Sequence, residues 1–393
     1  MAPVKHALLG ASSAHRWLRC TPSAKLEARF PDSSSSAAAE GTLAHAIVET
    51  KLGRLIKGKS FGKATKKQTE DPLYHPSMEE HTDAYCAFVS ELFTRVRVDT
   101  PDAILLSEQQ VDFSQWVPDG FGTTDTTIIA DDTLIVIDFK YGRGVAVSAV
   151  GNDQLRLYAL GSYTAYGDLY DINKVRTYIF QPRSKDGELI STEELTMDEL
   201  LAWADSYVRP RALMASRGEG EYIPGEMQCK FCRARYECLR SLECRRADAA
   251  QYMYGPKDVM NDQQMADALA VADEVISYFS GLKEYALQQV LNGRELPGYK
   301  LVEGRSNRTI SDPAKAADLL HKAGFAEDQI FKLRGITDLE DQCGAQKLRE
   351  IIGDLIVKPE GKPTLAVERD SRPVFNVTLT PEALARKASV FDD

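Results

Sequence analysis

The stretch Thr133-Leu-Ile-Val-Ile-Asp-Phe-Lys140 decides the fold. It is an apolar run of strand length that closes on a carboxylate and an ammonium group. Period-two geometry puts Leu134, Val136, Asp138 and Lys140 on one face and Ile135, Ile137 and Phe139 on the other. Both faces are mainly apolar, which marks a central strand covered on both sides. Residues 103 to 113 and 120 to 130 alternate or run apolar in the same way, so three successive strands are predicted. With Asp131-Asp132 as the turn between the last two, Asp125 falls directly opposite Asp138, with Cβ atoms about 5 Å apart. Like charges so close are costly unless a cation lies between them, and paired carboxylates suit a hard divalent ion. A metal site on a strand pair is the expectation.

Working outward, residues 11 to 29 read as a short helix with Trp17 and Leu18 on its apolar side, followed by a Ser- and Ala-rich link at 32 to 39. From Gly41 to Leu55 the pattern Leu43, Ile47, Val48, Leu52, Leu55 has helical spacing, and another helix covers 78 to 98. His45 and Glu49, four apart, share a helix face. After Tyr141-Gly-Arg-Gly144, a helix from Asp153 to Tyr166 carries Gln154 and Tyr158 on one face, residues 174 to 181 return as a strand, and 195 to 216 as a helix. A helix between two strands predicts a crossover and a mixed sheet. Residues 1–250 are therefore expected to form one α/β domain, and 251–393 a mainly helical accessory region. That region has a long helix at 261 to 292, a hairpin around Gly298 to Ile310, helices at 312 to 324 and 344 to 356, and a link at 359 to 363 before a polar tail.

The chain of 393 residues has a formal net charge of −10, which excludes a uniformly basic nucleic-acid surface but not local patches. Lys57, Lys59, Lys63, Lys66 and Lys67 form one such patch, for which a solvated loop and a phosphate-binding surface are both open readings. Lys230, Arg233, Arg235, Arg240, Arg245 and Arg246 surround a cluster of cysteines. No apolar run approaches a membrane span and no basic region with an apolar stretch opens the chain, so a soluble cytoplasmic protein is expected.

Cleaving a phosphodiester requires a positioned water, a Lewis acid on the phosphoryl oxygens and neutralisation of charge on the leaving oxygen. Asp125 and Asp138 can hold the metal. Lys140, on the strand face of Asp138, can orient the water and stabilise the pentavalent transition state. His45 is a further candidate ligand, since imidazole suits manganese better than magnesium. An Asp-x-Lys pair alone is also what an ordinary strand-end ion pair looks like.

Seven cysteines with uneven spacing argue against a secreted disulfide framework, and four of them crowd into residues 229 to 244. Cys229-x2-Cys232-x5-Cys238 can clasp a zinc ion or an iron–sulfur cluster. The fourth ligand is Cys244, giving a zinc knuckle, or the remote Cys20. Spacing leaves both open. Cys86 and Cys343 stand apart and read as core thiols.

The ordered set Gly41-Thr-Leu-Ala-His45, Gly122-Thr-Thr-Asp125, Asp138-Phe-Lys140 and Gln154-Leu-Arg-Leu-Tyr158 resembles the RecB-type branch of the PD-(D/E)XK nucleases, which includes nucleases of CRISPR adaptation and of helicase–nuclease repair complexes. The resemblance covers roughly residues 8 to 245. It implies a restriction-endonuclease-like core with a mixed central sheet flanked by helices. It implies His45, Asp125, Asp138 and the backbone carbonyl of Phe139 as ligands for Mn2+ or Mg2+, with Lys140 as the catalytic lysine. Gln154 and Tyr158 are implied to contact the DNA strand, and Glu108, with Glu49, to order the site. Thr124 replaces the proline of the superfamily name, and Gly122 supplies the Gly-x-x-Asp form common in this branch. Iron–sulfur members place one cysteine before the core and three after it, which implies a 4Fe-4S cluster on Cys20, Cys229, Cys232 and Cys238 that closes the two ends of the domain together.

The leading expectation is a metal-dependent DNA exonuclease acting on single strands or free ends. The chain also resembles a phage-encoded RecB-like family. That implies work in phage recombination, repair or replication beside a single-strand-binding or annealing protein; a homo-oligomer is compatible with the sequence. The alternative is a non-catalytic DNA-binding module built on a zinc knuckle, with salt-sensitive binding.

Overall fold

In the computed structural model, residues 7–31, 36–143, 146–184, 188–253, 261–302 and 312–357 are described. The stretch read as a central strand lies third in a five-stranded sheet of order β1-β2-β3-β4-β5, formed by Ile104–Asp112, Phe121–Ile129, Asp132–Phe139, Ile172–Phe180 and Ile190–Thr196. Neighbours run antiparallel except β3 and β4, which are parallel. The sheet is mixed, as expected.

The faces of β3 divide as the alternation requires. Leu134 and Val136 join one apolar core, and Ile135, Ile137 and Phe139 the other. The β2–β3 register also follows the Asp131-Asp132 turn, with Thr126 opposite Ile137 and Ile129 opposite Leu134. Asp125 and Asp138 are the next pair beyond this ladder. Asp132 itself takes a left-handed φ of 65°, which a tight turn favours.

In chain order the helices are α1 (Ala14–Trp17), α2 (Ser23–Glu27), α3 (Ser36–Ile56), α4 (Lys66–Thr69), α5 (Ser77–Asp99), α6 (Asp153–Tyr166), α7 (Met197–Trp203), α8 (Arg209–Arg217), α9 (Glu226–Cys229), α10 (Leu239–Met253), α11 (Asp262–Leu291), α12 (Pro313–Lys322), α13 (Glu327–Ile330), α14 (Ile336–Cys343) and α15 (Ala345–Ile352). Ala44, Ile47, Val48 and Leu52 of α3 pack with Tyr85, Val89 and Leu92 of α5 against one sheet face. The crossover α6, with α1, α7 and α8, covers the other. Lys51 is fully buried between α3 and α5, where Glu79 and Asp83 each accept from it at 2.6 Å and Thr82 at 2.8 Å.

Several boundaries differ from expectation for local reasons. The helix read over 11 to 29 is split, because Pro22 has no N–H to continue α1 into α2. The link read at 32 to 39 ends early, since α3 begins at Ser36. Residues 195 and 196 belong to β5, an edge strand whose polar Ser-Thr-Glu-Glu sequence carries little apolar signal. The helix that follows passes through a π turn at Ala204–Val208, ahead of Pro210. Among the described residues beyond α10, α11, α12 and α15 stand where helices are expected and α13 and α14 are additional; residues 299–302 are not strand, and the rest of the expected hairpin lies outside the described residues. The link at 359 to 363 and the tail also lie outside them. Residue 250 falls within α10, which packs on α11, so the expected boundary interrupts a helix. Among the described residues no helix is long and apolar enough to cross a membrane.

Candidate metal and nuclease site

The site forms where the middle of β1 and of β2 and the C-terminal end of β3 meet the middle of α3 and the first turn of α6. His45 projects from α3 and its Nδ1 lies 3.4 Å from Asp125 Oδ1. The other oxygen, Asp125 Oδ2, accepts the backbone N–H of Phe139 at 2.7 Å, which locks the carboxylate across the strand pair. His45 also meets the edge of the Phe139 ring, with centroids 5.5 Å apart.

Asp138 is 2% exposed, and its Oδ2 faces the Lys140 ammonium at 2.8 Å. Lys140 Nζ in turn donates to Gln154 Oε1 at 3.1 Å, and Gln154 Nε2 donates to the Tyr158 hydroxyl at 3.2 Å. The cap of α6 explains why Gln154 stands there: Asn152 Oδ1 accepts the N–H groups of Gln154 and Leu155 and pins the first turn. Tyr158 lies so close to β2 that a Cβ on Gly122 would meet its ring at 2.8 Å.

Glu108 supplies a third ligand-type atom. The nearest ligand atoms of His45, Glu108 and Asp125 all lie within 4.8 Å of one another, the one such acidic or imidazole group among the described residues. Glu108 has φ +50°. Leu105 packs toward α3 and α5 but Val111 toward α6, although plain alternation puts both on one face. The pleat thus reverses at Glu108, and this turns its carboxylate to the site. Asp138 is outside that close set and is turned to Lys140 instead. Glu49, one turn beyond His45 on α3, is exposed and acts on Glu108 only through its charge.

The electrostatics follow from burial against charge. Burial, with Asp125 nearby, pushes the Glu108 carboxyl up to about 7. Burial works to lower the His45 imidazole, but the Asp125 carboxylate outweighs it and holds it above the ordinary value. Burial raises the Asp138 carboxyl against the pull of Lys140. Burial opposes the charge on Lys140, yet Asp138 and Asp125 hold its ammonium up. Surplus negative charge without a compensating cation is what a divalent ion relieves, so the donor set fits one: carboxylate oxygens and an imidazole around a half-open space.

Sequence reading did not find the rim beside Lys140. Glu40 Oε1 accepts from His75 Nε2 and from Arg183 Nη1, each at 2.8 Å, and the Arg183 guanidinium lies 4.3 Å from the centre of the Tyr141 ring. Separations of up to 143 residues hide such a cluster from any local pattern.

Cys20, Cys229, Cys232 and Cys238 line one small cavity between α1, α2 and α9, together with Ser23, Tyr222 and Pro224. Glu27 ties the two chain segments, pairing with Arg16 at 2.6 Å and accepting the N–H of Arg233 at 2.9 Å. Cys244 is not in that lining and lies 3.9 Å from Asp248. Burial pushes the Cys232 thiol up to about 12 and also raises Cys20. Cys86 is a buried core thiol, as expected, whereas Cys343 is half-buried and bonds the Leu339 carbonyl at 3.1 Å.

The family model described as a protein of unknown function (DUF2800) matches residues 6–373. Among solved structures the chain is similar to the crystal structure of SSO0001, at 14% identity, covering 61% of this chain and 89% of that one, with a TM-score of 0.29. It is also similar to an alkaline exonuclease from Laribacter hongkongensis, at 12% identity, covering 52% of this chain and 91% of that one, with a TM-score of 0.22. The same exonuclease in complex with dAMP gives 12% identity, 53% and 91% coverage, and a TM-score of 0.23. Likenesses this distant carry no weight for the chemistry of the site.

Proposed function

We propose that this chain, which belongs to the DUF2800 family, is a divalent-metal-dependent deoxyribonuclease of the PD-(D/E)XK type, an exonuclease on single strands or DNA ends. One observation carries the reading: the β2–β3 register makes Asp125 and Asp138 the next pair beyond Thr126 and Ile137, with Lys140 facing Asp138 and bonded to Gln154. A plain ion pair at a strand end needs neither the second carboxylate nor the histidine.

In this reading His45, Asp125 and Asp138 hold Mn2+ or Mg2+, with Glu108 beside them. A strand residue directs its N–H and C=O to the same neighbour, so the Phe139 carbonyl opens on the Asp125 side and is a further protein ligand in this reading. The ion supplies Lewis-acid polarisation of the phosphoryl oxygen. Lys140, held between Asp138 and Gln154, orients the attacking water and neutralises charge developing at phosphorus. Gln154 and Tyr158 steady that lysine and meet the substrate strand. Burial pushes the Tyr158 phenol up, so it stays protonated and able to donate.

The cysteine cavity holds a 4Fe-4S cluster in this reading. The position of Cys244 outside the cavity that Cys20, Cys229, Cys232 and Cys238 line weighs against the zinc knuckle and the purely binding module built on it. Residues 1–250 form the nuclease region and 251–393 the accessory region. The protein acts in the cytoplasm, in phage-type recombination, repair or replication, beside a single-strand-binding or annealing protein.

Incubation of the purified protein with end-labelled single- and double-stranded DNA, with EDTA, Mg2+ or Mn2+, tests the reading. Metal-dependent shortening from one end that Asp138→Asn abolishes is expected. Intact DNA under every metal condition would sink it.

A further inference from the structure

The segment Lys57-Gly-Lys-Ser-Phe-Gly-Lys-Ala-Thr-Lys-Lys67 carries five lysines and no acid in a chain whose net charge is −10. All five lysines are exposed, while Phe61 and Ala64 pack inward against the α3–α5 core. This is a clamped strap with its charges outward. Arg54 Nη1 donates to the carbonyls of Phe61 and Lys63 at 2.8 and 2.6 Å, and Glu79, the partner of buried Lys51, accepts the N–H of Ala64 at 2.9 Å.

The strap returns to the candidate site. Thr65 and Gln68 form a capping box on α4, and Gln68 Nε2 donates to the carbonyl of Ala46, the residue after His45, at 2.8 Å and to Thr50 Oγ1 at 3.0 Å. Lys66 and Lys67 open α4, the end where a cation is unfavourable to the helix itself. Lys66 has one loose partner, Glu70 at 3.7 Å, both groups being well exposed. Like charges are thus held together, by half-buried anchors, against their repulsion.

We propose that residues 57–67 are a polyanion-binding strap that grips the phosphate backbone of the nucleic-acid strand entering the site. The inference rests on the nuclease reading for its strand, and on the strap alone for its charge and position. Its partner is recognised through phosphates, without regard to base.

Anisotropy of a labelled oligothymidylate, in EDTA to prevent cleavage and over a range of salt, reads the strap directly. Each phosphate contact contributes about 0.7 to the slope of log affinity against log salt on single strands. Replacing all five lysines with glutamine is expected to flatten the slope by about 2 or more and weaken binding at least about tenfold. The five Lys→Arg replacements keep binding and control for folding. A control with Lys300, Lys315, Lys322, Lys332 and Lys347 changed to glutamine alters net charge equally and leaves the slope. Unchanged slope and affinity in the strap variant, with wild-type binding intact, overturns the strap and leaves the nuclease reading standing. Strap-dependent binding without metal-dependent cleavage overturns the nuclease reading and leaves the strap. No binding by the wild type overturns both.

Discussion

Glu108 stands across the sheet from Asp125: the pairs Ser107 with Thr126 and Gln109 with Thr124 bracket the two residues, and Glu108 holds a left-handed φ of +50° between them. A left-handed glutamate costs about 1–3 kcal/mol and persists only where its surroundings enforce it. Here the strain turns a carboxylate into a space already shared by Asp125 and His45.

Metal affinity is therefore expected to depend on pH through Glu108. Its carboxyl is protonated below about 7 in the metal-free protein, and an ion must displace that proton. Calorimetry with Mn2+ should show affinity rising from pH 6 to 8 with proton release that fades above 7, and Glu108→Gln should weaken binding about tenfold or more. Affinity that is flat across this range would remove Glu108 from the ligand set.

The same carboxyl affects the metal-free fold with a definite sign. Its value is raised in the folded chain, so the unfolded chain loses its proton first, and stability falls as pH rises from about 4.5 through about 7. Glu108→Gln should stabilise the metal-free protein at pH 8 by about 1 kcal/mol once solvent screening at this half-exposed position is allowed for. Urea denaturation at pH 4.5 and 8 measures it; a destabilised variant at pH 8 contradicts the sign.

Lys140→Ala should lower cleavage by about 10²–10³. It should also destabilise the metal-free protein by about 1–3 kcal/mol, because Asp138, 2% exposed, loses the cation facing it. Added Mn2+ restores part of that loss if Asp138 is a ligand. Full activity in Lys140→Ala would refute the role given to this lysine.

Gly122→Ala should cost about 1–3 kcal/mol, since the new methyl would meet the Tyr158 ring at 2.8 Å. Cleavage should fall as well, because Tyr158 steadies Gln154 and through it Lys140. In a double-mutant cycle with Tyr158→Ala the two effects should be strongly non-additive. Additive energies would place the strain elsewhere.

Cys20→Ala and Cys232→Ala should lose the visible absorption and iron of anaerobically purified protein, while Cys244→Ala keeps both, since only Cys244 of these three is absent from the cavity lining. Zinc in place of iron, or an iron loss in Cys244→Ala matching that in Cys20→Ala, would end the cluster assignment.

The division of labour between sequence and fold runs along the range of the forces involved. Strand alternation and the Asp131-Asp132 turn are local, and a register slip would carry Ile135 and Ile137 from one core to the other, so the β2–β3 register, in which Asp125 and Asp138 are the next pair beyond the ladder, is legible from residues 120 to 140 alone. The helical face of His45 and the shared face of Gln154 and Tyr158 were legible for the same reason. The edge strand β5 was not, because a strand held mainly by backbone bonds to β4 needs no apolar pattern of its own. The pleat reversal at Glu108, the turning of Asp138 to Lys140, and the gathering of Cys20 with Cys229, Cys232 and Cys238 depend on contacts between distant segments. No local propensity encodes them: only packing of the whole sheet against α3 and α6 stabilises a strained φ and a buried charge at those positions.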